Sequence, residues 1–396
     1  MTASATKRPA PEDAREAVPA DAPVAHLYVH LPFCARKCPY CDFNSHAGRD
    51  DEQPAYIEAL LEEARRWAPH LRPRTIFIGG GTPTHGDAAQ LETLFQGLAD
   101  TIDLDALDEY TVEANPGSLD RRKIRILTEA GVNRMSVGVQ SFDDARLEAL
   151  GRIHTAADAV RSVELLREGG MPRYSLDLML AVPGQDPAGQ SRDLERALDL
   201  APEHISAYVL TFEEGTAFTR LMREGRMAAP DAERELEHLH MTCERLAAAG
   251  YGRYEISNFA QPGAESLHNL AYWRNADWVG LGAGAHSHVR GLRWKNRDDP
   301  GGYTQAIGTG VAPEAWRERP DPDARTNEFL LMGLRLAEGV DLDAIRAQTG
   351  CDVSTRRARE LQMLEGEGLL RRAAARIALT TRGFDVANQV IRTLSL

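Results

Sequence analysis

The sequence contains few cysteines and no long apolar segment. Five cysteines among 396 residues are too few for a disulfide scaffold. No run of 18 or more apolar residues occurs, so we expect no transmembrane helix and no stable membrane insertion. The amino terminus lacks the apolar stretch of a secretory signal. These absences predict a cytoplasmic protein with reduced thiols.

Positive charge is also scarce. The chain has 46 Lys and Arg residues against 59 Asp and Glu residues, which gives a formal net charge of −13. Nucleic acids and anionic membranes attract basic surfaces. The charge balance therefore predicts that nucleic acid is not a partner.

Short apolar runs alternate with amphipathic helical patterns in the first half of the chain. The runs occupy residues 26–33, 75–82, 109–116, 134–141, 174–181 and 204–211. Six strand-then-helix units in succession predict an α/β fold with a parallel sheet and right-handed crossovers. The alternation alone leaves open whether the sheet closes into a barrel.

The side chains of four runs separate into one apolar and one polar face. In the third run Thr111, Glu113 and Asn115 share the polar face, and in the fifth run Ser175 and Asp177 do. A strand that is buried on both faces is usually apolar throughout. The polar faces therefore predict a partly open barrel with a polar lumen that holds a cofactor near the carboxyl ends of the strands.

Composition divides the chain into four parts. Residues 1–22 are rich in Ala, Pro and charge and are predicted to be disordered. We assign residues 23–255 to the barrel, 256–323 to a connecting region and 324–396 to an α-helical, winged-helix-like domain. The last part has basic residues interleaved with acidic ones, which favours a structural or partner-docking role over DNA binding. These basic residues are Arg356, Arg357, Arg359, Arg371 and Arg372.

Three of the five cysteines lie in one short loop. Cys34, Cys38 and Cys41 form a CxxxCxxC pattern directly after the first strand, whereas Cys243 and Cys351 are isolated and are expected to be core residues. Thiolates bind zinc or iron–sulfur clusters. A zinc site would need a fourth ligand, for which His30 and His46 are candidates. Three cysteines leave one iron of a 4Fe-4S cluster open to an exchangeable ligand.

The segment YVHLPFCARKCPYCDF resembles the cluster loop of the radical S-adenosylmethionine (SAM) superfamily, and the GGGTPT segment at 79–84 resembles that superfamily's methionine-binding loop. The resemblance narrows to the coproporphyrinogen dehydrogenase branch over residues 24–396. It implies a partial (βα)6 TIM-like barrel with a 4Fe-4S cluster held by the three cysteines. The SAM contacts that it implies are Tyr28, Gly80, Gly81, Thr82, Glu113, Gln140, Arg152 and Asp177.

Two departures from the dehydrogenases narrow the resemblance further. The dehydrogenases have a fourth cysteine where this chain has Phe43, and the HNxxYW motif at 268–273 resembles that of HemW-type heme chaperones. This group implies binding of heme, heme delivery to acceptors such as respiratory enzymes, a possible homodimer and no oxidative decarboxylation. His268 is a candidate axial ligand of heme iron, and Tyr272 and Trp273 are candidates for stacking on the porphyrin.

Several alternatives stay open at this stage. The HNxxYW motif could simply pack a loop against the barrel, and His286 and His288 are rival heme ligands. The chain could be an oxygen-independent coproporphyrinogen III dehydrogenase, or a winged-helix regulator with a sensing cluster. Whether SAM is cleaved, and hence whether the chain is an enzyme, is not determined by the sequence.

Overall fold

A computed structural model describes residues 14–18, 22–228 and 231–396. The strands are β1 (Val24–Leu31), β2 (Phe33–Cys34), β3 (His46–Ala47), β4 (Leu71–Gly80), β5 (Glu109–Ala114), β6 (Arg134–Gln140), β7 (Tyr174–Leu180), β8 (His204–Val209), β9 (Gly252–Arg253), β10 (Asn258–Ala260), β11 (Val279–Leu281), β12 (His286–Val289), β13 (Leu292–Asn296), β14 (Glu314–Glu318), β15 (Val340–Asp341), β16 (Leu370–Ala373) and β17 (Arg376–Leu379).

The helices follow the amphipathic segments of the sequence. They are α1 (Gln53–Trp67), α2 (Ala88–Thr101), α3 (Arg121–Glu129), α4 (Asp144–Ala149), α5 (Ala156–Glu168), α6 (Pro187–Asp199), α7 (Ala217–Arg223), α8 (Ala232–Ala248), α9 (Leu267–Trp273), α10 (Pro300–Gly308), α11 (Pro322–Gly333), α12 (Leu342–Thr349), α13 (Val353–Arg356), α14 (Ala358–Gly366), α15 (Thr381–Asp385) and α16 (Ala387–Leu394). No helix in the described ranges is long and apolar enough to cross a bilayer.

The central sheet has nine strands in the order β11-β1-β4-β5-β6-β7-β8-β10-β9. The six strands from β1 to β8 in this order are parallel, and helices connect each one to the next. The predicted succession of six strand–helix units is therefore confirmed. Within the described residues the edge strands β11 and β9 do not pair with each other, so the sheet forms a partial barrel.

Short polar side chains begin the helices that cover the sheet. Asp87 and Gln90 form a capping box at α2, and Thr155 and Asp158 form another at α5. Under these helices lies the apolar face of the strands, including the fully buried Leu27. The opposite, polar face is left to line the lumen, as side-chain parity predicted.

The region between the barrel and the carboxyl-terminal domain differs from its prediction as a connector. Residues 256–323 supply β10 and β11 to the central sheet, where β10 is antiparallel to β8 and β11 is parallel to β1. The barrel is therefore completed by chain that lies well beyond residue 255. Pairings this distant in sequence leave no local pattern in strands of three residues.

The predicted disordered tail lies mostly outside the described residues. In its described part, Ala14–Ala17 form a 3-10 turn, and Ala14 and Val18 are buried against the barrel core. These five residues are therefore part of the fold. Their apolar contacts supply the ordering that their composition did not indicate.

The last part of the chain has its own hydrophobic core, which includes Leu330, Ile345 and Ile391. Helices α11 to α16 surround the small antiparallel sheet β15-β17-β16. Arginines of this domain are engaged within the chain: Arg356 pairs with Asp323, and Arg371 donates to a backbone carbonyl. Strand β15 follows α11, and the hairpin of β16 and β17 stands between α14 and α15.

A buried carboxylate on α1 links that helix to β11, β13 and α10. Glu63 on α1 is 3% exposed and accepts hydrogen bonds from Gly282 N (2.9 Å), Asn296 Nδ2 (2.8 Å) and the Tyr303 hydroxyl (2.6 Å). These donors belong to the end of β11, to β13 and to α10. One side chain thus fixes three elements that are more than 200 residues away in sequence.

We expect Glu63→Ala to lower the free energy of unfolding by about 3 kcal/mol, because three buried donors lose their acceptor. Chemical and thermal unfolding followed by circular dichroism measure this. The neighbouring Glu62→Ala is the control, since it removes only surface pairs with Arg65 and Arg66 and should cost at most about 0.5 kcal/mol. Equal losses for both variants would contradict this role of Glu63.

Candidate functional site

The polar lumen opens into a cavity of about 590 Å³. Its volume lies within the range of small-molecule sites, roughly 300–1,000 Å³. Side chains from all six parallel strands of the barrel line it, from Tyr28 on β1 to Tyr208 on β8. Predicted site residues on the cavity wall are Tyr28, Cys34, Cys38, Cys41, Gly80, Gly81, Thr82, Glu113, Gln140, Arg152, Asp177, His268 and Tyr272.

The cysteine loop forms one wall of the cavity. Cys34 Sγ lies 3.6 Å from Thr82 Oγ1, and Cys38 Sγ lies 3.6 Å from a guanidinium nitrogen of Arg152. Burial raises the pKa of the Cys34 and Cys41 thiols. Buried thiols that face one cavity suit a positively charged metal cluster, which stabilises the thiolates that burial disfavours.

The two histidines considered as zinc ligands use their rings elsewhere. His30 shares one hydrogen bond with the Tyr28 hydroxyl and another with Asn44 O, each 2.8 Å long. His46 Nε2 lies 3.1 Å from Asn44 Oδ1. In the part of the chain that the structure describes, no three His, Cys, Asp or Glu side chains form a group that could hold a single metal ion.

The glycine-rich segment is fitted against the cysteine strand. Gly81 N donates to Leu31 O and Thr82 N to Phe33 O, both at 2.8 Å. A Cβ on Gly81 would lie 2.5 Å from Phe33 O and 3.0 Å from Cys34 Sγ. Gly80 has a φ of +115°, which disfavours any other residue. Only glycine therefore brings this backbone close to the cluster loop.

Two carboxyl groups face the lumen from β5 and β7, the strands on either side of β6. Glu113 accepts from Gly80 N at 3.2 Å, and Asp177 accepts from Ser136 Oγ at 3.1 Å. Burial, with Asp177 nearby, raises the pKa of Glu113 to about 8, and burial also raises the pKa of Asp177. Both groups therefore favour a cationic or hydrogen-bond-donating ligand.

Arg152 lies between the cysteine loop and the strand ends. Its guanidinium donates to Gly138 O at 2.9 Å, to Asn115 Oδ1 and to Cys38 Sγ. Gln140 ends β6 with a φ of 66°, a strained conformation of the kind that accumulates at functional sites. Together they provide one cation and one amide at the same edge of the cavity.

The HNxxYW motif forms α9, whose first turn is fixed by a buried acid. Glu109 accepts from Ser266 Oγ and from the amides of Leu267 and His268. His268 is 1% exposed, and its Nδ1 lies 2.7 Å from Thr75 Oγ1, while its Nε2 has no hydrogen-bond partner among the described residues. Burial lowers the pKa of this imidazole to about 3.

The two aromatic residues of the motif point in different directions. Tyr272 lines the cavity, with its ring 4.7 Å from that of His268. Trp273 does not line it, and its ring lies under the guanidinium of Arg335 beside the carboxyl-terminal domain. Trp273 therefore does not share the cavity wall with Tyr272, because adjacent residues of a helix point about 100° apart, and its contact with a porphyrin stays a prediction.

The sequence interpretation missed a buried cation in the lumen. Arg134, at the start of β6, is 3% exposed and lines the cavity. Its side chain makes no hydrogen bond or ion pair within the described residues. Its positive charge offsets part of the rise that burial causes in the pKa values of Glu113 and Asp177. The position of Arg134 on the polar face of its strand is the sequence feature that predicts its place in the lumen.

The two rival histidines lie on β12, away from the cavity. His288 is buried, with Nδ1 3.2 Å from Ala276 O, whereas His286 is exposed. Phe43, which stands in place of the dehydrogenases' fourth cysteine, lines the cavity mouth and is 59% exposed. Cys243 packs against the barrel core and Cys351 is buried, as expected.

Comparison with known proteins agrees with this geometry. The sequence model of the radical SAM superfamily matches residues 28–201, and that of the HemN C-terminal domain matches residues 321–386. The heme chaperone HemW of Lactococcus lactis is 36% identical over 93% of this chain and 97% of its own length. The HemW proteins of Bacillus subtilis and Escherichia coli are each 37% identical, over 92% and 83% of this chain and 97% and 87% of their own lengths.

One solved structure covers almost the whole chain. Coproporphyrinogen III oxidase (HemN) from Escherichia coli, a radical SAM enzyme, superposes with a TM-score of 0.82 over 96% of this chain and 92% of that one. The sequence identity is 22%, so this likeness is one of fold.

We expect Gly81→Ala to impair cluster assembly, because the new methyl group would displace the backbone of Phe33 and the thiol of Cys34. Iron and sulfide analysis after anaerobic reconstitution should show at least half of the cluster lost, with the fold intact by circular dichroism. Gly308→Ala is the control, since a Cβ there meets nothing within 4 Å. Full iron content in Gly81→Ala would contradict the close approach.

Proposed function

Because the chain belongs to the radical SAM superfamily and, within it, to the family of the HemW heme chaperones, we propose that it binds heme and delivers it to acceptor proteins. The observation that carries this proposal is the relationship to several HemW chaperones along nearly the whole chain. Heme-requiring respiratory enzymes are the acceptors that we propose. The free thiols of all five cysteines are consistent with work in the cytoplasm.

We propose that the cavity holds a 4Fe-4S cluster and SAM, the cofactors that membership of the superfamily implies. The residues present fit this pair. Three cysteines face the cavity. Gly81 lies so close to Phe33 and Cys34 that a Cβ there would collide with them. When bound, the cluster and SAM supply one-electron chemistry at the mouth of the barrel.

The side chains of the cavity have separate parts in this arrangement. Cys34, Cys38 and Cys41 would hold the cluster. Glu113 and Asp177 accept hydrogen bonds from ammonium or ribose hydroxyl groups, and the guanidinium of Arg152 attracts a carboxylate.

The experiment distinguishes heme binding and delivery from coproporphyrinogen III dehydrogenase activity. Anaerobically reconstituted protein is incubated separately with hemin and with coproporphyrinogen III plus SAM and a reductant. We expect a stable Soret band with hemin and no protoporphyrinogen by chromatography. Conversion of coproporphyrinogen without stable heme binding would overturn the chaperone function.

We further expect SAM affinity to rise with pH up to about pH 8. Below its pKa of about 8 Glu113 is protonated, so binding a cationic ligand beside it releases a proton. Affinity should increase by up to about tenfold per pH unit and level off above pH 8.

Equilibrium dialysis of the reconstituted protein from pH 6.5 to 9 measures this dependence. Glu113→Gln should flatten the pH profile and weaken binding at pH 9, whereas the exposed control Glu129→Gln should match the unmodified protein. An unchanged profile in Glu113→Gln would show that the proton is released by another group.

A further inference from the structure

Three side chains form a row on the small sheet β12-β13-β14. His286 pairs with Lys295, and Lys295 pairs with Trp316, in antiparallel register. Residues paired in this way point to the same face of a sheet. We call His286, Lys295 and Trp316 the outer row.

The outer row presents an imidazole that is free to bind a ligand. All twelve histidines of the chain lie in the described ranges, and His286 is exposed with neither ring nitrogen in a hydrogen bond to a described residue. The other exposed histidine, His240, is paired with Asp385 at 2.8 Å. Partial burial and the nearby Lys295 ammonium lower the pKa of His286, so its ring is neutral and able to coordinate iron.

An apolar surface and a cation adjoin this imidazole. The Trp316 ring lies 5.8 Å from the ring of His286, meets it edge to face and is 40% exposed. Lys295 Nζ lies 2.7 Å from Asp298 and is one quarter exposed. An iron porphyrin has a metal, an apolar face and two carboxylates, which match these three side chains.

The outer row is tied to the cysteine loop. Asn44, three residues after Cys41, donates its Nδ2 to Ala283 O (3.1 Å) and Asp298 O (2.9 Å). These carbonyls lie on either side of β12 and β13 in the chain. The loop that would hold the cluster therefore positions the strands that carry the row.

The outer row is also tied to the HNxxYW motif. Trp278 Nε1 donates to His286 O at 3.1 Å, and the Trp278 ring lies 4.7 Å from that of Tyr272. His268 itself is enclosed between Phe77 and Tyr272. The motif thus supports β12 from behind, while its own imidazole is covered.

We propose that heme binds at the outer row, with the His286 imidazole as an axial ligand, Trp316 against the porphyrin and Lys295 beside a propionate. This inference rests on the proposed function. The imidazole nitrogen replaces a water ligand on ferric iron, so an iron–nitrogen bond forms, an iron–oxygen bond breaks and no electron is transferred. Release to an acceptor is the reverse exchange by the acceptor's own ligand.

The test is a hemin titration of the full chain followed by absorption and electron paramagnetic resonance spectroscopy. We expect His286→Ala to lose the imidazole-ligated spectrum and to bind hemin at least ten times more weakly. His240→Ala, which removes another exposed imidazole, should behave as the unmodified protein. In His286→Gly, added imidazole should restore the spectrum.

Further variants separate the possible failures. Trp316→Ala should weaken binding several-fold and keep the imidazole spectrum. Unchanged hemin binding in His286→Ala, or loss of the imidazole spectrum in His268→Ala alone, would overturn the outer row as the heme site. Either result would leave the proposed heme-chaperone function intact. No hemin binding by the unmodified protein would overturn the proposed function itself.

Discussion

The fold depends on keeping polar groups inside a barrel of parallel strands. Arg134 is buried, and Glu113 and Asp177 are half-buried, in one lumen where isolated charges are costly. Burial raises the pKa values of the two acids, and the charge of Arg134 opposes that shift. A lumen with this balance is poised for a ligand that carries both a cation and a carboxylate. The strands that form its walls are polar on the face toward the cavity and packed under helices on the other.

The cluster loop and the glycine segment form one unit around that lumen. Two backbone hydrogen bonds join residues 81 and 82 to the cysteine strand, and Gly81 leaves no space for a side chain between them. Arg152 extends the unit by contacting Cys38 and Asn115. The cysteine loop and the glycine segment are thus held together by shared backbone hydrogen bonds and close packing.

Residues that follow the six parallel strands in the sequence are fastened to α1 and to the cysteine loop by hydrogen bonds. Glu63 fastens β11, β13 and α10 to α1, and Asn44 fastens the same region to the cysteine loop. This region places α9 on the wall of the cavity and leaves His286 of β12 exposed at the surface. Within the HNxxYW motif, His268 is buried, and His268 and Tyr272 form part of the cavity wall.

The sequence by itself determined the local features of this protein. Alternating side chains identified the polar lumen, the spacing of Cys34, Cys38 and Cys41 indicated a thiolate metal site, and the six repeats identified the parallel sheet. These signals are local because they depend on periodicity and on adjacent ligands. The tertiary structure alone decided that residues 279–281 form one edge of the sheet and that Trp273 turns from the cavity. It also brought His286 and Trp316 together across 30 residues. Such contacts join distant segments through packing and buried hydrogen bonds, which no local pattern encodes.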